Sequence, residues 1–370
     1  MSLNKISNSS KVGLIKRTIT GILLMAVVIP CAILGNWPFF ILNLLLSLVA
    51  IHEVLAAPGP KRYNWLVKGV VYLFVISFIY WVFLKNMLRD PNLNPFTNGG
   101  IFTMTDIFVS ISGVILFALV LFVIAIFDSK IQLQDVTYLF TVGLVVALGF
   151  MGIFFVRYFP NNTGFIQNPN FANMTVTGTW NSTVILKNYF HDYYVAHNID
   201  QSLASCLLLF FICIGTWAGD VGAYLFGMLF GKHRMNPRIS PHKTWEGFIG
   251  GALFGSLLAL GFAALFEFAF NMPLVPGLVQ FGHSPALEAM NVMGGRAWPY
   301  LIFMTIMLPV VGNVGGFTFS LIKRQYGIKD FGKVFPGHGG VIDRFDSILA
   351  NSIVATILIW ITAYGWVFTV

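Results

Sequence analysis

The sequence predicts an all-α, polytopic transmembrane protein, with roughly nine windows of about 20 apolar residues to supply the spanning helices. Three observations carry this. Hydrophobic residues are 57% of 370 positions and charged residues only 10%, whereas a soluble domain has about 25% charged residues. The apolar residues are gathered into windows long enough to cross a bilayer. Lys and Arg fall mainly in alternate connections between those windows, as the positive-inside bias requires.

The windows lie at roughly 18–35, 37–57, 66–84, 107–127, 136–157, 202–219, 247–271, 299–320 and 348–369. The first is too long for a signal-peptide core and reads as a membrane helix. Val221–Gly231 is apolar but too short to span, so it either extends the sixth helix or re-enters the membrane. Of the 22 Lys and Arg residues, all but Lys85, Arg89, Arg157, Lys187 and Arg296 share the N-terminal side. That side is therefore expected to be cytoplasmic, and an odd number of spans puts the C-terminus outside. The formal charge of +8 is thus a membrane-orientation signal, and no nucleic-acid partner is expected.

Two units are expected. Residues 1–200 hold helices one to five and a polar outer loop, 158–201. Residues 201–370 form a catalytic transmembrane domain with cytoplasmic loops 220–246 and 321–347. The outer loop carries Asn-x-Thr at Asn161, Asn173 and Asn181, which are acceptor triplets if that face is secretory. Cys31, Cys206 and Cys213 lack metal-ligand spacing and read as small apolar residues.

Two constellations carry chemistry. The first runs from Gly219-Asp220 through Ser240-Pro241-His242-Lys243-Thr244-Trp245-Glu246-Gly247. Asp220 lies where an apolar segment meets the cytoplasm, and a carboxylate there needs a partner, water or an ion. Ser240 or Thr244 would cap a helix, with Glu246 in its first turn, and such an N-terminus also suits an anion.

The second constellation is Ser320-Leu321-Ile322-Lys323-Arg324, then Lys329-Asp330, then Pro336-Gly337-His338-Gly339-Gly340, then Asp343-Arg344-Phe345-Asp346. Asp343 and Asp346 are three apart and share a helix face. Two such carboxylates repel unless a cation holds them, and hard oxygen ligands with room for water and phosphate suit Mg²⁺. The glycines allow close backbone approach to a phosphate. The basic residues supply charge for phosphate groups. An ordinary solvated basic loop would lack the glycine and paired-aspartate elements.

The run Ser320 to Asp346 resembles the signature of phosphatidate cytidylyltransferases (CDP-diacylglycerol synthases): Ser-x-x-Lys-Arg, Lys-Asp, Pro-x-His-Gly-Gly and Asp-Arg-x-Asp, in that order. The stretches around Asp220 and Lys243 are similar to the same family, and together they cover about a third of the chain. Bacterial members usually have acidic residues where this chain has Gly316 and Phe319. The resemblance implies transfer of a cytidylyl group from CTP to phosphatidate, with release of pyrophosphate, at a bilayer surface. It also implies a Mg²⁺ cofactor and a homodimer. On that reading Asp220, Asp343 and Asp346 hold the metal and, with Lys323 and Arg324, carry catalysis. Substrate contacts are expected from Ser240, Lys243, Thr244, Glu246, Lys329, Asp330, His338, Gly339, Gly340 and Arg344. A bacterial cytoplasmic membrane is expected, because no long polar N-terminal extension is present.

Other readings are a cytidylyltransferase for a different lipid phosphate, and a transporter. A transporter would place its ionisable residues at midplane, often in matched halves; here they gather at one face. Glu53, near the cytoplasmic end of the second helix, is expected either to line the site or to pair with Lys68, the structural role being favoured. Glu267 is expected to be interfacial.

Overall fold

A computed structural model describes residues 8–89, 104–158, 201–270, 272, 274, 297–337 and 339–364. Among them lie nine α-helices: α1 Asn8–Leu34, α2 Asn36–Ala56, α3 Trp65–Arg89, α4 Met104–Phe127, α5 Leu133–Tyr158, α6 Gln201–Phe230, α7 Trp245–Ala264, α8 Ala297–Gln325 and α9 Ile342–Tyr364. A π-helical turn, Leu265–Ala269, continues α7 and contains Glu267. The short strands β1 (Arg234–Asn236) and β2 (Ser240–Thr244) form an antiparallel hairpin between α6 and α7. This hairpin is a local addition to the expected all-α architecture.

Each expected window falls on a helix. Six, within α2 and α4 to α8, are long and apolar enough to cross a membrane, and the chain is an integral membrane protein. The described apolar stretches of α1 and α3, Ile19–Leu34 and Trp65–Trp81, are shorter. The first turns of α9 carry Asp343, Arg344 and Asp346, so composition alone does not mark that helix as a span. Val221–Phe230 extends α6 without a break, which decides between the two readings of that segment. The three Asn-x-Thr triplets lie outside the described residues.

Glycine sets how closely α6 and α7 approach. A β-carbon on Gly251 would lie 2.5 Å from the Gly219 carbonyl oxygen, and one on Gly255 2.5 Å from that of Gly215. Small residues at four-residue spacing let two membrane helices bring their backbones together. Gly251→Val is therefore expected to destabilise the protein by about 1–3 kcal/mol through overpacking. Gly261→Ala, where nothing lies within 4 Å, should not. Thermal unfolding of both variants in detergent would check this.

Polar contacts tie the remaining helices together. Ser352 on α9 donates to the Gly149 carbonyl oxygen on α5 at 2.8 Å, and Asn351 donates to Thr216 Oγ1 on α6 at 2.7 Å. At the end of the bundle carrying the hairpin, Arg62 makes a two-pronged contact with Asp135, which also accepts from Tyr63 at 3.1 Å. The carboxylate holds the Arg62 proton more firmly than usual, and burial beside Asp135 pushes the Tyr63 hydroxyl up. At the far end, buried Arg157 donates to the carbonyls of Ala32 and Ile33. A cation there offsets the unpaired carbonyls that end α1.

Candidate active site

The predicted site residues lie on the C-terminal halves of α6 and α8, the β1–β2 hairpin, the first turn of α7, the loop 326–341 and the first two turns of α9. Three cavities mark where they meet. One lies between α6, α7 and α8 and is lined by Asp220, His242, Lys243, Thr244, Asn313 and Ser347. A second, of about 590 Å³, lies within the loop and is lined by Lys329, Asp330, Lys333, Gly337, Gly339 and Arg344. A third lies between α1, α6 and the start of α9, with Asp220, Asp343, Arg344 and Asp346 at its polar end. Asp220 borders the first and third, and Arg344 the second and third. Most of the expected residues are thus brought to one continuous region; His338 lies outside the described residues.

Thr244 caps α7: its backbone is extended (φ −122°) and its Oγ1 accepts from Gly247 N at 3.1 Å. Ser240, the other expected cap, lies in β2 instead. Glu246 turns back to the segment after α6, accepting from Lys232 N and His233 N and contacting His233 Nδ1 at 2.5 Å. Glu246 therefore closes the turn before the hairpin.

Lys243 extends from β2 into the first cavity. Its ammonium donates to Asn313 Oδ1 at 2.8 Å and lies 4.5 Å from the centre of the Phe317 ring. A β-carbon on Gly316 would be 3.1 Å from Lys243 Nζ, so the glycine leaves room for the lysine. Phe319 is buried and packs edge-on against Phe331. Burial pushes the Lys243 ammonium down from its usual range, and the Asp346 and Asp220 carboxylates oppose that shift. The lysine is a cation held in a poorly solvated place, ready for an anionic partner.

Asp343 and Lys323, both expected to face substrate or metal, face each other at 2.8 Å. The second Asp343 oxygen accepts from Phe331 N at 2.8 Å and Gly340 N at 2.9 Å. In this arrangement Asp343 fastens the loop to α9. Arg324, expected to bind phosphate, donates through Nε to the Ile239 carbonyl and anchors the hairpin.

Glu53 reaches across from α2 to accept from Val341 N at 2.9 Å and Ile342 N at 3.0 Å. It caps α9 and does not pair with Lys68, which donates to the Pro60 carbonyl. A β-carbon on Gly340 would lie 2.3 Å from Glu53 Oε1, and one on Gly339 (φ +90°) 2.8 Å from Asp343 Oδ2. The glycines that suggested a phosphate cradle therefore make room first for carboxylates of this chain. Asn313, which holds Lys243, had no recognisable signal beyond its place one turn before Gly316.

Asp220 accepts no hydrogen bond among the described residues, and Asp346 uses only Oδ1, accepting from Ser347 N at 2.7 Å and Ser347 Oγ at 3.3 Å. No group of three or more His, Cys, Asp or Glu side chains converges on an ion position among the described residues. Two hard oxygen donors at one cavity, with the remaining positions left to water and phosphate, fit Mg²⁺.

Comparison with known proteins adds the decisive observation: the chain matches the family described as the cytidylyltransferase family over residues 15–362. The chain belongs to that family. It is also similar to the phosphatidate cytidylyltransferase of Bacillus subtilis, at 32% identity over 43% of this chain and 49% of the relative. The phosphatidate cytidylyltransferase of Staphylococcus epidermidis is 36% identical over 38% of this chain and 44% of the relative. The chain thus spans about half the length of the curated relatives it matches. Membership of the cytidylyltransferase family covers nearly all nine helices, including the first five, whose resemblance in sequence alone was one of general apolar character.

Proposed function

We propose that this protein transfers the cytidylyl group of CTP to phosphatidate, giving CDP-diacylglycerol and pyrophosphate for phospholipid synthesis. The observation that carries the reading is the meeting of Asp220, Lys243 and Asp346 at cavities bordered by Arg344, in a chain of this family.

In this reading an oxygen of the phosphatidate headgroup attacks the α-phosphorus of CTP. The new P–O bond forms as the bond to the β-phosphate oxygen breaks, and pyrophosphate leaves with the electron pair. A phosphomonoester is largely dianionic near pH 7, so no strong base is needed. Alignment and charge neutralisation do most of the work. Lys243 contacts a phosphate oxygen from the first cavity. Lys329 and Lys333 supply positive charge in the second. Asp220 and Asp346 hold Mg²⁺, which when bound neutralises charge on the triphosphate and leaving group. Asp343 and Lys323 tie the start of α9, and hence Asp346, to the end of α8.

The bias of Lys and Arg supports a cytoplasmic side for this end of the bundle and for the N-terminus, where CTP is found. A bacterial cytoplasmic membrane and a homodimer complete the reading. The test is pyrophosphate release by purified protein in mixed micelles. Release should need CTP, phosphatidate and Mg²⁺ together. Release with another lipid phosphate but not phosphatidate would overturn the acceptor, and none with any lipid phosphate would overturn the reaction.

A further inference from the structure

We propose that the slot between α1 and α6 seats an acyl chain of the lipid-phosphate substrate, and that Gly21 keeps it open. The inference rests on the reaction above for the identity of the lipid and extends it to where the lipid lies. One wall of the slot is α1, through Gly21, Leu24, Met25 and Val28; the facing wall is α6, through Trp217 and Val221. Its polar end is Asp220, Arg344 and Asp346.

An apolar channel ending in a guanidinium and a candidate cation site matches a molecule with a hydrocarbon tail and a phosphomonoester head. From Thr20 to Ile29 the slot follows α1 for about 13 Å at 1.5 Å per residue. Thr20 Oγ1 donates to the Pro336 carbonyl at 3.1 Å, fixing the polar end of α1 against the loop. Met25 and Val221 line the slot yet are 48% and 54% exposed. The slot therefore opens sideways to whatever surrounds the helices, which for a membrane protein is lipid.

Gly21 is the informative residue. Gly251 and Gly255 on the α6–α7 seam are forced by neighbours within 3 Å, but a β-carbon on Gly21 would meet nothing within 4 Å. No neighbour within 4 Å calls for glycine there, and a side chain added at this position starts into open space beside the slot. Gly21→Leu is thus a filling substitution that leaves the helix intact.

Two readouts test the proposal. In mixed micelles, Gly21→Leu should lower kcat/KM for dioleoyl phosphatidate about tenfold or more while changing dihexanoyl phosphatidate by less than about twofold, since a blocked apolar site discriminates by hydrocarbon bulk. Gly113→Leu, at another open helix position away from the slot, should change neither. Equal loss with both lipids, or no loss with either, would overturn the slot.

The second readout does not require turnover. Phosphatidate with brominated acyl chains should quench the fluorescence that is lost in Trp217→Phe, more strongly than brominated phosphatidylcholine does, and Gly21→Leu should abolish the difference. Equal quenching by both lipids would mean surrounding lipid only and would overturn the proposal. Absent quenching beside normal pyrophosphate release would sink the slot and spare the reaction. Preferential, Gly21-sensitive quenching without CTP-dependent release would do the reverse.

Discussion

Asp220→Asn is expected to lower kcat for pyrophosphate release by about 10²–10³, the scale seen when one preorganised electrostatic contact is removed from an active site. The substitution keeps the shape of the side chain and deletes its charge. Asp220 accepts no hydrogen bond among the described residues, so the change leaves no orphaned partner and the thermal midpoint should stay within about 1–2 °C of the parent, as for a surface substitution. The Mg²⁺ concentration giving half-maximal activity should rise as well. Asp343→Asn should behave differently. Its carboxylate is nearly buried and bound to Lys323 and two backbone amides. Removing one partner of a buried ion pair costs about 3–5 kcal/mol, so activity and stability should fall together. Wild-type turnover by Asp220→Asn at limiting Mg²⁺ would remove that residue from the ion site.

The contrast between these two aspartates shows what the sequence could and could not convey. The helices were legible because a bilayer demands long apolar stretches, and each window coincides with a helix. The gathering of charged residues at one end was legible because basic residues sort by membrane side. Pairing was not. Lys323 and Asp343 both belong to one motif and both looked free to meet substrate, yet their shortest route to neutrality is each other, and no spacing rule states that distance. The same holds for Glu246, which looked like a first-turn acid and instead folds back onto Lys232 and His233. The β1–β2 hairpin escaped notice because the mostly polar and charged stretch between two long apolar segments gives no alternation to read. The glycines near Asp343 suggested a ligand's approach, and the same freedom serves an approach by carboxylates of the chain itself.

Glu53→Ala should damage stability about as much as Asp343→Asn, and it tests whether the site depends on the first half of the chain. Glu53 is 3% exposed and accepts the two backbone N–H groups that begin α9. These groups have no partner within the helix, and hydrogen bonds to a charged acceptor contribute about 1.5–3 kcal/mol each. Losing both, and leaving the donors buried, should cost about 3–5 kcal/mol in total. Glu53→Gln retains one acceptor oxygen and should cost about half as much. Because α9 carries Asp343 and Asp346 in its first two turns, a loosened start displaces both carboxylates, and activity should fall even at temperatures where the fold survives. Denaturation in mixed micelles, run beside the pyrophosphate assay, separates the two effects. A Glu53→Ala protein as stable and active as the parent would mean that α9 is held by its packing against α5, α6 and α8 without that cap. A stable but inactive one would mean that Glu53 acts on the chemistry by aligning Asp346, and that α2 belongs to the catalytic unit although its sequence carries no part of the motif.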